Sequence, residues 1–292
     1  MKASSGAIPD TITVPRTGPI YNGHAYLTKV PVGAILPFIR TYSKAGETVL
    51  DVFAGSGMTG VAAMMLGRNA ELSDISRLGQ HIGTGYLTRV DPVGLREAAK
   101  RVVAATREAI GDLYKTVRVE DGAIVEMVRA VWSFTYQCPT CSADLVFFKH
   151  LTQGDGHPKQ CHSCGHPFAK RLWTRIEDVP VEVVVRGRNG RLTNQAVADV
   201  DRTRILEAES NDALADVPSL KIDEHREMFS RSGLRKVGIS QTKDFFSARN
   251  AIALTKLWTA ISSVENDGLR QKLRFCFTAS LARASRRYQW SR

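Results

Sequence analysis

The run TVLDVF at Thr48–Phe53 is short, apolar and β-branched, the pattern of a buried strand, and the glycines at 55 and 57 break it. Met58 to Leu66 follows with helical spacing until Gly67 stops it, and Ala70 to Ile75 again has strand character. Strand, glycine turn, helix and strand within about thirty residues make one βαβ unit, the building block of doubly wound α/β folds. Upstream, Val32 to Tyr42 (VGAILPFIRTY) predicts an amphipathic helix restricted by Pro37. Downstream, Asp91 to Gly111 predicts a helix with Asp91 as N-cap and Pro92 in its first turn.

The texture then changes. Tyr136 to Phe168 holds four paired cysteines and four histidines, and Val181 to Leu192 (VEVVVRGRNGRL) reads as strand, R-N-G turn, strand. Leu145 to Lys149 supplies an intervening strand. From Asp244 the helical period returns, with Ala251, Leu254, Leu257 and Ile261 on one face. Four parts follow: an extended lead-in over 1–23, an α/β part over 24–114, an insertion over 115–200, and a basic, mainly helical part over 201–292.

Charge adds a partner class. The chain has 292 residues and a net charge of +11, and Lys221 to Arg292 contributes 15 basic against 6 acidic residues. Such a surplus favours a polyanion, with a solvated helical face as the plainer alternative. Arg283, Arg286, Arg287 and Arg292, with Tyr288 and Trp290 among them, are the candidates for backbone contact. MKASSGAIPD has no apolar core, and no run is long enough to cross a bilayer, so neither a secretory signal nor a membrane anchor is expected. Cysteine usage points to a reducing cytoplasm and a metal.

Gly55, Gly57 and Gly60 form a G-x-G-x-x-G, a pattern that dinucleotide sites also use. Asp51, on the strand before it, decides otherwise. A carboxylate there opposes a pyrophosphate and suits a cationic ligand without phosphate, which S-adenosylmethionine is. Asp74, at the end of the next strand, is placed to accept from ribose hydroxyls, or else caps its loop. Phe53 offers an aromatic surface, or else packs in the core.

DVFAGSGMTGVAA is similar to the cofactor motif of DNA amino-methyltransferases, which methylate adenine N6 or cytosine N4. HAYLTKVPVGAILPFIRTYSKAGETVLDVFAG and NAELSDIS resemble that family's flanking motifs, and DFFSARNAIALTKLWTAI and SRRYQW resemble its larger, zinc-ribbon-bearing bacterial members. The resemblance implies a partial Rossmann-like, S-adenosylmethionine-dependent methyltransferase fold with DNA as partner. It implies cofactor contacts from Thr28, Lys29, Asp51, Phe53, Ala54, Gly55, Ser56, Gly57, Asp74 and Ile75. His24 and Pro31 complete the upstream motif, Thr28 and Lys29 fall near the methionine carboxylate, and Ile75 against the adenine.

The family's catalytic motif, a polar residue followed by Pro-Pro and an aromatic, is absent. The eleven prolines are never adjacent, and Asp91-Pro92-Val93 fails at the second proline. The Pro-Cys pair of cytosine C5 chemistry is also missing. No catalytic residue is therefore assigned. The expectation is the cofactor-binding portion of an adenine-type enzyme, truncated or split, with the catalytic motif downstream or on a second chain. A zinc-ribbon nucleic-acid-binding protein with a vestigial or regulatory cofactor site is the alternative, and an RNA or protein methyltransferase a third.

Cys138-Pro-Thr-Cys141 and Cys161-His-Ser-Cys164, nineteen residues apart, have the two-knuckle spacing of a zinc ribbon. Four thiolates close a tetrahedral site, so the zinc is structural; His157, His162 and His166 read as surface residues, with replacement of a ligand as the alternative. Arg171, Arg175, Arg186, Arg188 and Arg191 lie nearby, and Arg186 and Arg188 are the nucleic-acid candidates there. The ribbon touches DNA, docks a protein, or only braces the fold. Cys276, within KLRFCFTASL, is expected in the core.

Overall fold

The computed structural model describes residues 8, 10–152 and 156–288; lead-in residues 1–7 and 9, and Trp290 and Arg292 of the basic cluster, lie outside them. In chain order the elements are α1 (Pro19–Asn22), α2 (Val32–Tyr42), β1 (Thr48–Asp51), α3 (Met58–Met65), β2 (Asn69–Leu72), α4 (Arg77–Leu87) and α5 (Pro92–Ile110). Next come β3 (Lys115–Val117), β4 (Ile124–Glu126), β5 (Arg129–Gln137), β6 (Asp144–Val146), α6 (Phe147–Thr152), β7 (Thr174–Arg186), β8 (Leu192–Ala196) and α7 (Asp199–Glu209). The last are α8 (Glu227–Arg231), α9 (Ala248–Ser262) and α10 (Asp267–Ala284). Two compact units result: residues up to Ala109 with Val217–Tyr288, and Ile110–Asp216.

In the first unit β1 and β2 run parallel, from Thr48 opposite Asn69 to Asp51 opposite Leu72. Val49 and Ala70 face α2 and α3, where Ile35, Leu36, Ile39, Ala62 and Ala63 close a small core. Arg68 ties the ends of those helices, donating to Leu66 O (2.6 Å), Ser43 O (2.6 Å) and Ser43 Oγ (3.1 Å). Pro37 sits inside α2 without ending it, and Asp91 Oδ2 caps α5 through Gly94 N at 2.7 Å. The lead-in, expected to be extended, contains the single turn α1, where Pro19 pre-sets the first helical position.

Helices α5, α9 and α10 pack together through Ala98, Val102, Ile261 and Leu273. A side chain on Gly85 of α4 would stand 2.2 Å from the Phe275 ring, so only glycine admits α10 there. Lys272 Nζ donates to Gly85 O at 2.5 Å. Cys276, expected inside, is exposed. Leu273 turns toward α5 and α9 and Phe275 toward α4, and Cys276, one residue further along the helix, is left on the exposed side.

One hydroxyl joins three segments: Thr278 Oγ1 of α10 lies 3.1 Å from His24 Nε2 and 2.8 Å from His81 Nε2 of α4. His24 Nδ1 lies 2.9 Å from Ala25 O, and the Thr278 hydroxyl also donates within its own helix, to Phe275 O at 3.0 Å and Arg274 O at 3.2 Å.

The second unit is built on the antiparallel sheet β6-β5-β7-β8, beside the β3–β4 hairpin. It runs wider than 115–200 at both ends because α7 packs on β3, where Arg204 donates to Lys115 O and pairs with Asp112 at 3.8 Å. The strand expected over Leu145 to Lys149 is only β6. Ser133 Oγ accepts Phe148 N–H at 2.8 Å and turns the chain into α6.

The docking of α10 on α4 can be checked in two ways. Gly85→Ala is expected to cost about 1–3 kcal/mol by overpacking, read as a lower thermal midpoint and partly recovered by Phe275→Leu. Burial, with smaller contributions from His24 and Arg274, holds the His81 imidazole below its usual range. The unfolded chain then binds the proton first, so stability falls as pH drops below about 6.5 and levels off below the folded value. Thermal unfolding between about pH 8 and pH 5 checks this, and His81→Gln is expected to flatten the acid slope.

Candidate cofactor pocket and metal centre

The glycine loop is held from both strands. Ala54 N donates to Ser73 O at 2.9 Å, carrying the β1–β2 pairing past the strand ends. Gly55 N then donates to Asp74 Oδ2 at 2.6 Å, and Ser76 N to Asp74 Oδ1 at 2.7 Å. One carboxylate therefore bridges the loops after both strands. Gln80 Nε2 of α4 adds a bond to Asp74 O at 2.7 Å. Each carboxylate oxygen keeps a second lone pair, so a ligand hydroxyl still finds an acceptor.

Gly57 begins α3 with φ of 76°, a left-handed position that only glycine adopts without cost. A side chain there would also lie 2.7 Å from Gly83 Cα, and one on Gly79 would lie 2.5 Å from Gly55 O. Backbone on backbone, the loop and α4 enclose a cleft of about 260 Å³ lined by Gly55, Leu72, Ser73, Asp74 and Thr84. Tyr26 packs over Gly55 from the other direction.

The predicted residues divide by surroundings. Ala54, Gly55, Gly57 and Asp74 line the cleft, and Ser56 is buried beside it. Asp51 spends one oxygen on Phe53 N at 3.0 Å, which leaves the other for a ligand. Phe53 is 88% exposed and Ile75 102%, so neither is core and both stand free beyond the strand ends. Thr28 is exposed.

Lys29, expected beside the methionine carboxylate, is buried, and its three donors go to Tyr21 O (2.8 Å), His24 O and Tyr86 Oη (3.0 Å). Burial lowers the Lys29 ammonium and raises the Tyr86 phenol from their usual values. In this arrangement Lys29 braces the segment carrying Tyr26 against α4. The sequence reading did not single out Tyr26, Gly79 and Gly83. The i, i+4 glycines in RLGQHIGTGY were the available signal, since that spacing puts both on one helix face.

Of the arginines proposed for nucleic acid, Arg283 is exposed on α10 and Arg287 donates to Ser232 O at 3.2 Å. Arg286 N–H donates to Phe245 O at 2.7 Å. In the second unit Arg186 and Arg188 are exposed at the β7–β8 turn.

Also in that unit, the Sγ atoms of Cys138, Cys141, Cys161 and Cys164 lie within 4.8 Å of one another, the closest pairs at 3.7 and 3.6 Å. A tetrahedron of 2.3 Å zinc–sulfur bonds has edges of roughly 3.8 Å, so the four residues fit the ion. The knuckles share a backbone: Cys138 N donates to Ala143 O (3.0 Å) and Cys161 N to His166 O (2.8 Å). Each turns through a left-handed residue, Ser142 at φ 57° and Gly165 at φ 73°. Burial opposes the Cys161 thiolate, but the N–H groups of Cys164 and Ser163 and the neighbouring thiols outweigh it and bring that thiol down to about 6. The Ala143 N–H favours the Cys141 thiolate, yet the three thiols around it and desolvation push it up to about 12. Four thiolates cannot coexist here without a cation. His166 stacks toward Trp173, 6.3 Å between rings, and the aromatic shell of Tyr136, Phe168 and Trp173 packs around the two buried cysteines.

The purified chain is expected to carry one zinc ion, measured by atomic absorption, and a chelator is expected to lower its thermal midpoint. Gly165→Val should cost about 1–2 kcal/mol through its left-handed backbone without changing the zinc stoichiometry.

Comparison with solved structures returns no match. Residues 10–111 match the family model N6_N4_Mtase, described as DNA methylase, and they span the segment from the lead-in through the glycine loop, Asp74 and α5. Over residues 10–111, then, the chain is similar to the N6/N4 DNA methylase family.

Proposed function

We propose that the first unit is the S-adenosylmethionine-binding portion of a DNA amino-methyltransferase with adenine N6 as target. The observation that carries this reading is the Asp74 carboxylate bridging Gly55 and Ser76 beside an open cleft, within the segment that matches the DNA methylase family. Asp51 favours the cofactor's ammonium group, Asp74 its ribose, and Phe53 and Ile75 stand ready to cover its adenine. Thr28 lies toward the methionine end, while Lys29 acts by holding the neighbouring segment.

The same proposal makes the catalytic motif the contribution of another segment or chain. No two prolines adjoin in the sequence, so the chain cannot grip a flipped amino base in the family's way. The incomplete sheet supports this. Parallel sheets are nearly always covered on both faces, whereas β1 has Leu50 66% exposed and no second partner strand among the described residues. Glu47 O and Asp51 O turn toward β2, so the alternating groups of Thr48, Leu50 and Val52 face the open edge. The zinc site serves as a structural brace in this account.

Calorimetric titration is expected to give one S-adenosylmethionine per chain, weakened about tenfold or more, at least about 1.4 kcal/mol, by Asp51→Ala. Absence of binding to the intact chain would sink the cofactor reading. Radiolabelled methyl transfer to DNA by this chain alone is expected to be nil; turnover would refute the missing catalytic part, and cofactor binding without any productive partner would favour the regulatory alternative.

A further inference from the structure

The second unit holds a basic tip that the methyl-transfer reading leaves unused. Strand β7 ends at Arg186, opposite Leu192 of β8, and the connection is a fixed turn. Gly187 N donates to Arg191 O (2.8 Å), Gly190 N to Gly187 O (2.9 Å), and Arg191 N to Asn189 Oδ1 (2.9 Å). Gly190 takes φ of 75°, the left-handed step that closes such a hairpin. Three arginines therefore stand exposed on six residues of ordered backbone.

The β3–β4 turn locks onto it. Arg118 Nη1 donates to Arg186 O at 3.0 Å, and Arg188 N to Glu120 Oε2 at 3.2 Å. Gln195 of β8 bonds across to Val117 O (2.7 Å) and Val119 N (3.1 Å). Within this joint, among the described residues, Glu120 accepts only the Arg188 backbone N–H, and Asp121 takes a two-pronged bond from Arg118, at 2.9 and 2.6 Å. That bond, with the Ala123 N–H and the charges of Arg118 and Arg188, outweighs desolvation and holds the Asp121 carboxyl down at about 2. Arg186 makes only a long 3.3 Å bond to Gly190 O, and Arg188 and Arg191 have no ion pair among the described residues.

Arginines without a salt bridge among the described residues, held on a rigid turn, can reach a partner at little conformational cost. We infer that the β7–β8 tip docks on duplex DNA, with Arg186, Arg188 and Arg191 each contacting a backbone phosphate. This rests on DNA being the substrate, and it makes the zinc-bearing unit a DNA-positioning arm as well as a brace. Phosphate contacts fix orientation without reading sequence, so the tip sets where the duplex lies and not which bases are chosen.

The test is fluorescence anisotropy of a labelled duplex against the full chain over a salt series, comparing wild type with Arg186→Gln/Arg188→Gln/Arg191→Gln. Removing one arginine–phosphate pair should reduce the slope of log K against log salt by about 0.9, so the triple variant is expected to be shallower by about 2 to 3 and at least about tenfold weaker at low salt. Zinc content and thermal midpoint should match wild type; if the triple variant misfolds, Arg188→Gln alone should still reduce the slope by about 0.9. A variant with wild-type slope overturns the inference while leaving the DNA reading intact. Failure of the wild-type chain to bind duplex at any salt overturns both. A reduced slope on single-stranded RNA but not on duplex DNA overturns the assignment of partner.

Discussion

The Asp74 carboxylate is the fixed point of the first unit. Its two oxygens accept from Gly55 and Ser76, so the loops after β1 and β2 are joined through one side chain at the ends of two short parallel strands. Four-residue strands contribute few ladder bonds, and without this bridge the glycine loop would rest on the Phe53 N–Asp51 bond, the turn bond from Gly57 N to Ala54 O and the Ala54–Ser73 bond. Packing follows from it: α4 starts at the bridge, and Gly79 and Gly83 then sit backbone to backbone on the loop. Helix α10 docks on the far end of α4 through Gly85 and the shared Thr278 hydroxyl. Removing the carboxylate would loosen the site and, through α4, the helix beyond it.

A second constraint is what the unit does not cover. One face of the β1–β2 pair closes on α2 and α3, and the other leaves Leu50 and Val52 to solvent. Water satisfies an exposed strand edge but gives an exposed apolar face no stabilisation, so a segment that covers this face gains burial that this chain leaves unclaimed. That asymmetry and the absent Pro-Pro-aromatic motif both support the proposed reading, in which another segment or chain completes the enzyme.

Much of this was legible in the sequence where local chemistry dominates. The β1–α3–β2 order followed from TVLDVF, the glycines and Gly67, because strand and helix periods differ there without ambiguity. The cysteine spacing indicated a four-thiol cluster because a C-x-x-C knuckle is a local turn. Non-local contacts were not legible. Nothing in KLRFCFTASL says which helix face meets α4, so Cys276 was expected inside and lies outside. Lys29 read as a contact to the methionine carboxylate because its three acceptors, on Tyr21, His24 and Tyr86, come together only in the fold. Arg118 engaging Asp121 was within reach of sequence as an i, i+3 pair, but its bond to Arg186 O was not.

The central claim is that the loop held by Asp74 receives S-adenosylmethionine. Backbone amide NMR of the labelled chain during titration with the cofactor tests it most directly. Saturable shifts are expected, concentrated at Ala54 to Gly57, Asp74 and Ile75, with the zinc knuckles unmoved. Shifts confined to other parts of the chain, or none at saturating cofactor, would contradict it.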